Sequence, residues 1–266
     1  MKELLFRGLS NEDYELIPSL GRGKSNEFDR GILDNERNLI EKAKFLLPDV
    51  FRKDMTTLEL LALLQHRGIY TRLMDVSENP LVALYFACRS NPTTNGEVFV
   101  FKHNNFQIEH FPLMNAIADS YKIMIPNHEM TLEDFYQNAN DKGYFIDNHS
   151  KFNNDKERAK WIEDCCSKPL FVYAPIRTER QKTQHSRYIL FPNKIGDSIH
   201  HQKQKAFKPI IEPISKNADC IEERYIIPSK AKCNIMSDLK TFGICKEFLF
   251  CDSVDIICEE ILNEYK

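Results

Sequence analysis

Residues 60–88 read LLALLQHRGIYTRLMDVSENPLVALYFAC, and the changes of period within this stretch decide the fold. Leu60, Leu61 and Leu64 recur at helical spacing, which predicts an amphipathic helix. Gly68 stands where a helix C-cap glycine belongs. Ile69 to Val76 then reads as a short extended segment carrying Thr71, Arg72 and Asp75. Ser77 is a candidate N-cap for the next helix, and Asn79-Pro80 puts a proline near its first turn. That helix, Leu81 to Cys88, is apolar almost all round, the pattern of a buried helix. A short strand between two core helices thus carries an arginine, an aspartate and a hydroxyl. Charges that close to a core need partners or a ligand.

Upstream, Lys2 to Leu9 reads as a strand that sends Phe6 and Arg7 to opposite faces. Gly8 permits close approach of another backbone or of a ligand. Residues 21–31 are polar and contain glycine, a loop with Arg22 and Lys24 near its tip. Asn35 to Leu47 reads as a helix with Leu39, Ile40, Ala43 and Leu47 on one face, ended by Pro48. Thr56 or Thr57 caps the helix that leads into the opening stretch.

Downstream, a turn at residues 91–96 leads to a central strand, Glu97 to Phe101. Residues 102–168 read as a variable helical insert capping one end of the sheet. Within it Ala116 to Ile125 fits helix or strand, Thr131 to Asn140 is a helix with a capping-box-like start, Asp147 to Asn154 is loop, and Asp155 to Cys166 is a helix. Leu170 to Pro175 and Arg187 to Pro192 read as strands around the polar run Ile176 to His185. Asn193 to Asp219 is polar and basic, the composition of a solvated face. Glu222 to Ile227 is a strand, Ser229 to Phe242 a helix opened by Pro228, and Asp252 to Tyr265 a last helix burying Val254, Ile257, Ile261 and Leu262.

The 266 residues carry a net charge of −3, so no overall basic character announces nucleic acid. No apolar run reaches the roughly 18 residues of a membrane span. The start MKELLFRG has no apolar leader segment, which points to the cytoplasm. Eight cysteines, none in a C-x-x-C pair, fit reduced and buried thiols rather than a zinc site. Neither phosphate-binding glycine motif, G-x-x-x-x-G-K-[ST] or G-x-G-x-x-G, is present, nor is G-x-S-x-G or H-E-x-x-H.

Several fixed positions in one order carry a resemblance. They are Phe6-Arg7-Gly8; Leu16 to Arg22; Gln65-His66, Gly68, Thr71-Arg72-Leu73 and Asp75; and Asn79-Pro80 with Ala83-Leu84-Tyr85-Phe86-Ala87. This pattern resembles the FRG domain, a mainly bacterial family. Arg180 and Gln184 match a later element of it, with Ser186 in place of a glycine and Tyr188 in place of phenylalanine. The tail is also similar, through Ile227-Pro228, Gly243-Ile244 and Leu249-Phe250-Cys251-Asp252, with Cys251 where proline is usual.

The order of parts is similar to the ADP-ribosyltransferase fold. That layout implies an α+β chain with a split mixed β-sheet and peripheral helices, one domain over 1–266 that residues 193–266 complete. It also implies NAD as co-substrate and a nucleic-acid or protein acceptor. Arg7, Asp75 and Gln184 are then the candidate catalytic residues. Arg7, His66, Thr71, Arg72 and Arg180 are candidates to hold the dinucleotide, since guanidinium groups grip phosphate bidentately. The glutamate usual in that fold two residues after Gln184 is replaced by Ser186, with Glu179 a substitute. Family resemblance implies a toxin or phage-defence role, with an antitoxin or chaperone as possible partner. The competing readings are a nucleotide- or nucleic-acid-binding module without turnover and a non-catalytic scaffold.

Overall fold

The computed structural model describes residues 3–23, 26, 31–103, 112–145, 152–201 and 204–251. The expected helix at Asp252 to Tyr265, Lys24 and most of the 147–154 loop lie outside these residues. The chain begins with β1 (Glu3–Leu9) and two helices, α1 (Glu36–Leu46) and α2 (Thr57–His66). Thr56 caps α2 by accepting from the Glu59 amide at 3.4 Å. Gly68 ends it at φ +84°, which lets the Ile69 amide return to the Leu64 carbonyl at 3.0 Å. Next come β2 (Leu73–Ser77) and α3 (Pro80–Cys88). The cap of α3 is Asn79, whose Oδ1 accepts from the Leu81 amide at 2.9 Å, and not Ser77. Proline at the first helical position fits that cap two residues further on. Ser77 instead accepts from the Asn79 amide at 3.0 Å and donates to the Gln184 carbonyl at 2.6 Å.

The chain continues through β3 (Gly96–His103), α4 (Pro112–Ala118), α5 (Ser120–Ile123), β4 (Met130–Thr131), α6 (Leu132–Asp141) and α7 (Asp155–Cys166). Among the described residues there follow β5 (Leu170–Val172), α8 (Glu179–Thr183), β6 (Ser186–Leu190), β7 (Ile195–Asp197), β8 (Lys205–Phe207), β9 (Ile221–Ile227), α9 (Lys232–Thr241) and α10 (Lys246–Leu249). A 3-10 turn, Ser229–Ala231, precedes α9.

Among the described residues the main sheet runs β5-β6-β2-β1-β3-β9, and every pairing in it is antiparallel. The expectation of a mixed sheet is corrected. The unit β2–α3–β3 does connect two strands that run the same way. However, β1 lies between them and runs the other way, so no parallel ladder forms. The sheet is opened at its middle: β1 and β2 share one registered pair, Phe6 opposite Ser77.

Alternation along the strands gives the sheet two buried faces. On one face Leu5, Leu9, Met74, Val76, Phe99, Phe101 and Ile189 pack with Leu16, Ile17 and Leu20. On the other, Leu73, Tyr188 and Leu190 join the apolar faces of α2, α4, α6 and α7. Here α3 lies against β1 at Gly8. A Cβ on Gly8 would fall 1.8 Å from the Ala83 carbonyl oxygen and 2.8 Å from the Ala87 nitrogen. The third residue of the Phe-Arg-Gly motif is therefore glycine because a helix backbone occupies the space of a side chain.

The expected insert is helical, yet it does more than cap the sheet. Leu113, Ile117, Phe135, Tyr136 and Phe145 share one core with Leu60 to Leu64. Its strand β4 pairs with β8, and β7 completes a second, three-stranded sheet. Within the segment expected to be a solvated face, Ala206, Phe207 and Lys208 are buried. Lys208 pairs there with Glu129 at 2.5 Å. The cysteines also depart from expectation. Of the seven described, all free, Cys88 alone is buried and Cys233 is exposed. Burial pushes the Cys88 thiol up to about 11, so it is a neutral apolar group at physiological pH.

Candidate anion site in the opened sheet

Where β1 and β2 part, Arg7 spans the gap. Its Nη1 donates to the Asp75 carbonyl oxygen at 2.9 Å, taking the place of a lost ladder bond. Its Nε is buried and has no partner among the described residues. A guanidinium is thus placed at an opening in the sheet with donors to spare, an arrangement that costs free energy unless something accepts them.

Asp75 sits across the same gap with its carboxylate held from behind. Gln65 Nε2 donates to Asp75 Oδ2 at 2.6 Å, and Thr71 donates to Gln65 Oε1 at 2.5 Å. The Thr71 hydroxyl also accepts from the Leu73 amide at 3.2 Å, so the relay is anchored to backbone. No arginine pairs with the Asp75 carboxylate among the described residues. Tyr188 stands opposite Asp75 in the β2–β6 ladder and receives a bond from Gln181 Nε2 at 2.9 Å. Burial first, and then the Asp75 charge, raise the Tyr188 phenol above its ordinary value, so it keeps its proton.

These residues line a cavity of about 350 Å3 that passes between β1 and β2. That volume falls at the lower end of the roughly 300–1,000 Å3 usual for small-molecule sites. Arg7, Arg22, Arg89 and Arg180 line it, with Asp75 as the single carboxylate among its lining residues. Burial holds the Arg7 guanidinium below its ordinary pKa; Asp75 opposes this, while Arg22 and Arg89 add to it. An anionic ligand relieves that mutual repulsion.

The structure brings Arg7, His66, Asp75, Arg180 and Gln184 to the cavity, and it places two candidates elsewhere. Thr71 is buried behind Gln65 and reaches the site only through it. Arg72 is 1 % exposed and belongs to another part of the molecule. Its guanidinium pairs with Glu36 at 2.5 and 2.8 Å, and its Nη1 donates to the Phe191 carbonyl at 3.0 Å. Strand alternation gives the reason: Thr71, Leu73 and Asp75 share one face, and Arg72, Met74 and Val76 the other. Arg22 and Arg89 take the place Arg72 was expected to hold. Their signal in the sequence is weak. One follows a 3-10 turn, Ser19–Gly21, and the other follows the last residue of α3. Glu179, the expected substitute carboxylate, does not line the cavity; it pairs with Lys182 on the surface.

Gln184 is fixed from both sides. Its carbonyl accepts from Ser77, and its Nε2 donates to the Leu249 carbonyl at 2.9 Å. His185 follows at φ +48°, a left-handed residue that turns the chain from α8 into β6.

The first 96 residues hold most of these groups, and residues 2–96 match the family model of the FRG domain. The chain carries an FRG domain. No curated protein and no solved structure matches the chain. The FRG segment supplies Arg7, Gln65, His66, Asp75 and Arg89, and the chain beyond it supplies Arg180, Gln181, Gln184 and Tyr188. Among the described residues no helix is long and apolar enough to cross a membrane, and no group of three or more His, Cys, Asp or Glu residues is arranged to hold a metal ion.

Proposed function

We propose that the opened sheet binds NAD and that the chain transfers ADP-ribose from it to a macromolecular acceptor, a protein or a nucleic acid. The observation that carries this reading is Arg7, whose buried Nε has no partner among the described residues and whose guanidinium bridges a gap in the sheet at a cavity it shares with Asp75. Four arginines around one cavity suit a pyrophosphate, which offers them two adjacent anionic centres. NAD, when bound, supplies a nicotinamide–ribose bond whose breaking leaves positive charge on the ribose. Asp75, held in place by Gln65, would supply the negative charge that favours that change, and a preorganised group of this kind contributes about 3–4 kcal/mol. Gln184 and Tyr188 offer hydrogen bonds for ribose hydroxyls. The bond from the ribose carbon to nicotinamide breaks, the acceptor bonds to that carbon, nicotinamide leaves, and the acceptor's proton passes to solvent.

The test is incubation with a cell lysate and NAD labelled in its ADP-ribose half. Label passes to precipitable macromolecules with the wild type, and Arg7→Ala abolishes the transfer. Released label without a macromolecular product would reduce the activity to hydrolysis.

A binding module without turnover is the second reading. It rests on Asp75 being the single carboxylate among the lining residues, which leaves no second carboxylate to act as base toward the acceptor. Under it, ADP-ribose raises the melting temperature while no label moves.

A further inference from the structure

We infer that Phe250 is a positioning residue for the anion site, holding the Arg89 and Arg180 guanidiniums at the cavity rim for a pyrophosphate-type anion. The inference rests on the anion site proposed above and names a part of it that lies far from the FRG segment in sequence.

Phe250 follows α10 and is buried. Two cavity arginines lie over its ring: Arg180 Cζ is 4.4 Å from the ring centroid and Arg89 Cζ is 5.3 Å from it. Arg89 also lies 5.2 Å over Phe86, and the two rings meet edge-on with centroids 6.3 Å apart. Both Phe86 and the arginines line the cavity. One residue earlier, the Leu249 carbonyl accepts from Gln184. A single short element thus fixes three cavity side chains that come from α8, the end of α3 and the turn before β6.

The physical reason is electrostatic. Two guanidiniums near one cavity repel each other and would spread into solvent. The negative face of an aromatic ring draws each of them in. Arg89 is exposed, so without the two rings nothing described in the structure holds it inward. An aliphatic residue of similar bulk fills the same space and lacks the quadrupole.

The experiment compares wild type, Phe250→Leu and Phe250→Trp by calorimetric titration with ADP-ribose and, separately, with inorganic pyrophosphate. Thermal melts without ligand verify that each variant is folded. The expected result is a loss of roughly tenfold in affinity for both probes with Phe250→Leu, and near wild-type affinity with Phe250→Trp. Unchanged affinity in a folded Phe250→Leu overturns the inference, and so does equal weakening in both variants, which would make the ring a packing residue only. If the wild type binds pyrophosphate but not ADP-ribose, the dinucleotide reading fails while the Phe250 comparison is still decided on pyrophosphate. If it binds neither, both are overturned.

Discussion

Arg72 and Asp75 stand three residues apart and serve different halves of the molecule. Asp75 faces the cavity, and Arg72 is buried against Glu36 on the opposite side of the strand. Both belong to one run of motif residues, and resemblance alone puts both in one site, Arg72 on the dinucleotide and Asp75 in catalysis. The alternation of side chains separates them, and that signal was present in the sequence. That signal is weak at Thr71 and Arg72, which precede β2, where a strict period is not assured. The separation makes a prediction. Arg72→Ala leaves the Glu36 carboxylate buried without its partner and lowers stability by about 3–5 kcal/mol in denaturant unfolding. ADP-ribose affinity of the folded fraction stays at the wild-type value. Weakened binding in a folded Arg72→Ala protein would return Arg72 to the site.

At the scale of elements, α2, β2 and α3 were legible because their signals are local. A threonine cap, a glycine end, a proline start and an apolar helix each act within a few residues. The strands β7 and β8 were not legible. Three residues each, IGD and KAF, are too short for a period to show, and they are strands only because β4 and one another supply the hydrogen bonds. The antiparallel placing of β1 between β2 and β3 is likewise a tertiary fact that no local pattern contains. The cleft arginines Arg22 and Arg89 come together only through that placing. Gly8 ties these levels together, since its missing Cβ lets α3 sit on β1 beside the cleft. Gly8→Ala therefore has no flexible side chain to push aside, only backbone. It is expected to cost about 3 kcal/mol or more and to weaken ligand binding as α3 moves outward. A thermal melt and a titration measure the two effects; a variant with wild-type values for both would show that α3 does not depend on this contact.

At the scale of the whole molecule, Glu129 lies beside the three-stranded sheet and ties the start of β4 to the ends of β7 and β8, and this contact responds to pH. Burial alone would raise its carboxyl. Bonds from Lys208, Ser198 and the His200 and Ile199 amides outweigh burial and lower it to about 2 from an ordinary 4.5. A carboxyl held below its unfolded value stabilises the fold above that value, and the gain is lost as pH falls through the folded one. The contribution, at most about 3 kcal/mol, is full above pH 4.5 and disappears on descent toward pH 2. Glu129→Gln is expected to lower stability at pH 7 and to flatten its fall in this acid window, read by unfolding at a series of pH values. An unchanged acid profile in Glu129→Gln would remove this contact from the pH response.

The cleft between β1 and β2 organises the molecule at this scale too, because both the FRG segment and the later chain converge on it. Its proposed chemistry depends on one carboxylate. The most direct measurement is the rate of nicotinamide release from NAD by wild type and by Asp75→Asn, each verified as folded. Asparagine keeps the shape and a hydrogen bond to Gln65 but removes the charge that favours positive ribose. The account predicts release by the wild type and a fall of roughly a hundredfold or more with Asp75→Asn. Equal rates in the two proteins, or none from the wild type in the presence of lysate, would contradict it.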